Sequence, residues 1–152
     1  MKTTALIALM GSFASPVAAQ VVIPCDWQAS AQALIEPWED HTRTFANGAV
    51  RLALLDTVEP AIAAMHLLIL SPPYDEIGGR QCRTIGVGDG LGFPGITWEG
   101  LEAGYDPAVG LTFTIPVGLY DPETGDFPES QLAFTVNQAT GEIDARIDPG
   151  AQ

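Results

Sequence analysis

Residues 111–119 read Leu-Thr-Phe-Thr-Ile-Pro-Val-Gly-Leu, with an apolar residue at every second position. A period of two places successive side chains on opposite faces of a strand, so Leu111, Phe113, Ile115, Val117 and Leu119 form one continuous apolar face. The alternation returns at Leu132, Phe134 and Val136 and again at Ile143, Ala145 and Ile147, with Ala139-Thr140-Gly141 between them as a turn. Asp106-Pro107-Ala108-Val109-Gly110 leads into the first of these runs, and Asp121-Pro122-Glu123-Thr124-Gly125-Asp126 leads out of it. Three consecutive strands joined by short turns make an antiparallel meander. The last carries Asp144, Arg146 and Asp148 on its other face, as suits a solvent-facing edge guarded against pairing with another chain.

Upstream, Asn47-Gly48 separates the extended runs 42–45 and 49–56, a strong hairpin signal. In the second arm Val50, Leu52, Leu54 and Asp56 share one face and Arg51, Ala53 and Leu55 the other, which predicts cover on both faces. Residues 61–70 mix helix formers with a run ending in Ser71-Pro72-Pro73; the reading is a strand over 65–70, stopped by the prolines, with a helix as the alternative. Residues 80–87 predict another strand, followed by a glycine-rich loop over 86–92, and 96–101 and the segment ending at Tyr105 read as extended. Near the N-terminus, Asp26 is a good N-cap, residues 27–35 are rich in helix formers, and Pro37 stops them, predicting one short helix. Together these elements predict a mainly β fold: an antiparallel sandwich or partly closed barrel of about 7–8 short strands with one short N-terminal helix.

The first nineteen residues change the picture of where this fold works. Lys2 is followed by an apolar run over 5–13 and by the small residues Ala18-Ala19. A run of about ten apolar residues is too short to span a bilayer, so residues 1–19 read as a cleaved signal peptide, with 20–152 a single β-rich domain. A lipoprotein signal needs a Cys directly after the small residues, and the first is Cys25. The expected location is periplasmic or secreted, with no membrane insertion after cleavage. Removing Lys2 takes the formal charge from −13 to −14 and leaves five Arg and no Lys. Such an acidic surface disfavours nucleic acid and anionic lipid, and the missing lysine removes Schiff-base chemistry and the P-loop grip on phosphate. An oxidising compartment predicts that Cys25 and Cys82, 57 positions apart, form a structural disulfide. A redox pair would sit as C-x-x-C.

Candidate chemistry is sparse. Outside the signal the histidines are His41 and His66, the serines Ser30, Ser71 and Ser130, and no G-x-S-x-G elbow occurs. His66 and Ser71, five apart on one strand, point to opposite faces, which favours a buried structural histidine over a catalytic base. Four His and Cys, two of them in a disulfide, do not make a zinc site. Asp121, Glu123 and Asp126 lack the spacing of the calcium loop, so no metal and no cofactor is expected. Gly90-Leu91-Gly92-Phe93-Pro94-Gly95 matches G-x-G-x-x-G by letter, but the residues after it do not open a helix. Carboxylate pairs such as Asp75 with Glu76 or Glu99 with Glu102 are available to a glycosidase. Trp98, Glu99, Glu102 and Tyr105 beside the glycine-rich loop make the candidate ligand groove, against ordinary core and rim packing. The functional expectation is an exported, non-enzymatic binding or structural domain of the cell envelope or medium, with an unidentified protein or small-molecule partner. The alternative is a small secreted hydrolase using carboxylates.

Overall fold

A computed structural model describes residues 21–88 and 90–148, so the expected signal segment lies outside the described residues. Among the described residues, nine strands form two antiparallel sheets: β1 (Val21–Pro24), β2 (Thr42–Phe45), β3 (Val50–Asp56), β4 (Met65–Tyr74), β5 (Arg80–Gly86), β6 (Glu102–Asp106), β7 (Gly110–Gly118), β8 (Glu129–Val136) and β9 (Ile143–Asp148). The first sheet runs β1-β5-β4-β3-β2 and the second β6-β7-β8-β9. The fold is a β-sandwich. Its shared core takes Val50, Leu52 and Leu54 from β3, Leu67 and Ile69 from β4, and Phe113, Ile115, Val117, Leu132, Phe134 and Val136 from the facing sheet. Phe113 stacks on Phe134 at 4.8 Å and meets Phe45 edge-on at 4.9 Å, tying the hairpin of β2 and β3 to the meander.

Period-two patterning explains β7, where Phe113, Ile115 and Val117 are buried and Thr114 is exposed. Pro116 sits inside this strand at no cost to the ladder. Its carbonyl accepts from Thr97 on the side away from β8, and in an antiparallel strand the missing N–H would point the same way. Residues 65–70 are strand, as read, but β4 continues through Pro72 and Pro73 to Tyr74, with a register shift between Ser71 and Tyr74 that absorbs the missing donors. Ile96 forms a bridge with Val117, whereas Trp98–Gly100 is a turn of 3-10 helix that redirects the chain into β6.

The predicted helix over 27–35 is not formed. Two single turns of 3-10 helix, Trp27–Ala29 and Ala31–Ala33, are separated by Ser30 in an extended conformation, and Leu34 forms a bridge with Leu55. Nine residues gain little from helix propensity alone. Burial and a covalent tie override it: Cys25 is bonded to Cys82 with Cα atoms 5.3 Å apart, and Ala33 packs with Ala53, Leu55 and Leu68 in a second, smaller core. This segment covers the outer face of the first sheet, which is why β3 is buried on both faces. At the sheet's other end, the Gln81 side-chain nitrogen lies 2.9 Å from Ser71 Oγ and 2.9 Å from the Gly141 carbonyl, linking the two sheets.

Candidate functional site

The structure divides the four residues of the predicted groove. Trp98 is in the core, 3% exposed, with the Arg43 guanidinium 5.3 Å from its ring centre. Glu102 shares the outer face of the second sheet with Thr112 and Thr114, whereas Tyr105 lies on the opposite side of β6, and Glu99 is exposed on the 3-10 turn. The signal that placed them together was nearness in sequence, and strand alternation separates Glu102 from Tyr105.

The other candidates are held by local structure. His66 is 1% exposed on the outer face of β4, opposite Leu55, and Ser71 faces the other way toward Gln81. Burial pushes the His66 imidazole below its ordinary pKa, and Nε2 has no hydrogen-bond partner among the described residues. His41 is half-buried, with Nδ1 3.0 Å from the Pro37 carbonyl. Asp121 accepts the Glu123 N–H at 2.8 Å and the Thr124 hydroxyl at 3.0 Å, and these bonds hold its carboxyl below the usual carboxylate range. Its loop is thereby closed on itself. Asp75 likewise accepts from the Ile77 and Gly79 N–H groups within its own turn. Among the described residues, no three His, Cys, Asp or Glu side chains gather as metal ligands. The Gly90–Gly95 stretch does not open a helix; Met65 and Phe93 exchange backbone hydrogen bonds, which lays the loop along β4.

What sequence reasoning missed is the surface built by the N-terminal cover. Cys25 donates its N–H to the Cys82 carbonyl at 3.2 Å beside the disulfide, and Ala29 closes the following turn on the Asp26 carbonyl at 3.0 Å. This turn drives Gln28 inward, to 2% exposure, and leaves Trp27 outside at 53%. Pro24, Asp26, Trp27, Gln28 and Gly90 line a groove of about 520 Å³. On the other flank of Trp27 a second hollow, about 300 Å³, is lined by Ser30, Gln32, Asp56 and Val58. Val58 is 68% exposed with φ +67°, a left-handed conformation unusual for a β-branched residue; its N–H donates to Asp56 Oδ1 at 2.8 Å. Leu34 and Trp38 add exposed apolar area to the same segment. No composition or spacing rule marks these residues, because their exposure follows from where the disulfide pins the chain. An indole face, a carboxylate and a carboxamide around one groove make a set suited to non-covalent recognition.

No protein-family model, curated protein or solved structure matches the chain.

Proposed function

We propose that this protein is an exported, non-enzymatic binding domain that works in the periplasm or outside the cell. The observation that carries the reading is the gathering of exposed apolar side chains on the disulfide-pinned segment and the loop beside it. Trp27 and Val58 flank one hollow above a closed inter-sheet core. Apolar side chains held outward on a rigid scaffold are the usual signature of a partner surface. Export is supported by the residue 1–19 pattern and by a disulfide, which persists in oxidising compartments.

Two measurements test it. Intact mass of the exported protein should lack residues 1–19, and a mass that retains them overturns the export half. A photo-crosslinking side chain placed at Ser30, in the hollow, should give a saturable adduct with one envelope or medium component. The same probe at Ile77, on the β4–β5 turn at the opposite end of the sheet, should give none. Equal labelling from both positions, or none from either, overturns the binding half.

A further inference from the structure

We propose that the groove beside Trp27 is a site for a cationic group, a guanidinium or an alkylammonium carried by the ligand. The inference deepens the binding-domain reading and rests on it. Three observations meet in one place.

The first is the environment of the tryptophans. The chain has three, and two of them already carry an arginine: Arg43 lies 5.3 Å from the Trp98 ring centre and Arg51 lies 5.9 Å from that of Trp38. These distances are within the range over which a cation is attracted to the face of an aromatic ring. Trp27, half exposed, has no such cation among the described residues. The second observation is Gln28. Its side chain is buried and lines the groove, yet Oε1 has no hydrogen-bond partner among the described residues. A buried amide oxygen without a donor is costly, and a ligand N–H in the groove would satisfy it. The third is charge. Asp26 lines the same groove and its carboxylate has no ion pair among the described residues, and Asp56 lies across Trp27 in the adjoining hollow. The chain supplies five arginines and, beyond Lys2, no lysine against nineteen acidic residues. In such a field the counter-charge has to come from outside, and an anionic ligand would be repelled.

Ring face, amide oxygen and carboxylate are together what a guanidinium needs: a surface to stack on, an acceptor in its plane and an opposite charge. The disulfide contributes by holding Asp26, Trp27 and Gln28 in one turn, so little freedom is lost on binding.

The test is titration of the isotopically labelled exported protein with N-acetyl-arginine amide and, separately, with N-acetyl-citrulline amide, which keeps the shape and loses the charge. Nuclear magnetic resonance would follow the Trp27 indole N–H and the Gln28 carboxamide. Arginine amide should shift both signals saturably and leave Trp98 unmoved, with citrulline amide at least about tenfold weaker. Trp27→Leu and Asp26→Asn should each weaken binding about threefold or more, and raising NaCl to 0.5 M should weaken it further. Both residues are exposed, so a dispersed spectrum will show that the variants remain folded. Citrulline binding within twofold of arginine, or wild-type affinity in both variants, overturns the cation assignment. A neutral or anionic partner crosslinked at Ser30 does so as well, while leaving the binding-domain reading standing.

Discussion

His66 sits in the sheet as a neutral imidazole, because burial penalises the charged form and no carboxylate among the described residues pairs with it. Its pKa in the folded protein lies below the unfolded value, so as pH falls the unfolded chain takes up this proton first. The stability His66 contributes is therefore complete above about pH 6.5 and is lost as pH drops toward the folded pKa. Chemical denaturation should give a lower unfolding free energy at pH 5.5 than at 7.5, and His66→Leu should flatten that slope; an unchanged slope would sink the assignment. Val58 makes the opposite kind of contribution. A β-branched residue at φ +67° costs on the order of 1 kcal/mol, and its exposed side chain buries too little to offset this. Val58→Gly should raise the melting temperature by a few degrees if strain relief exceeds the added freedom of the unfolded chain, corresponding to about 1 kcal/mol. A lower melting temperature would show that Val58 packs better than its exposure implies.

At the level of elements, the N-terminal cover depends on one covalent bond. Closing a loop of 57 residues limits the unfolded chain by roughly 4 kcal/mol on the entropic estimate. Replacing Cys25 and Cys82 by Ala should lower stability by a few kcal/mol, and hydrogen exchange should accelerate first over residues 21–38, while β7 to β9 keep their protection. Uniform acceleration would show that the bond stabilises the whole domain alike. At the end of β5, a Cβ on Gly86 would strike the Leu91 carbonyl of the glycine-rich loop, a backbone group that cannot swing aside. Gly86→Ala should therefore cost about 2 kcal/mol in a denaturation experiment. Strands such as β7 were legible because alternation and burial coincide there: Ile115 and Val117 are apolar in sequence and 0% and 1% exposed in the fold. The disulfide was legible from the expected compartment and from the count of two cysteines. The 27–35 segment was not, since its alanines and glutamines favour helix locally while its conformation is set by contacts with β3, β4 and β5, distant in sequence. Val58 and the buried Gln28 belong to that same class, where tertiary placement outranks local preference.

Across the whole molecule, charge is uncompensated. Arg146 with Asp148, both exposed on β9, is the one ion pair among the described residues, so added salt has little attraction to weaken and much repulsion to screen. Raising NaCl from 20 to 300 mM should increase the melting temperature, and a decrease would mean that arginines such as Arg43 and Arg51 contribute more than their ring contacts suggest. The strand order has a consequence in time. β1 pairs with β5 rather than with β2, so once synthesised it waits for its partner strand until some sixty further residues have followed it. Synthesis delivers partners at about 5–20 residues per second, so Cys25 waits seconds as a lone thiol before Cys82 arrives. With no other cysteine in the chain it meets no wrong partner of its own during that wait, and the only mispairing open to it is with another molecule. A two-cysteine framework with a late-arriving partner thus trades intramolecular scrambling for a dependence on crowding: dilute chains close correctly, and neighbouring nascent chains are the competitors.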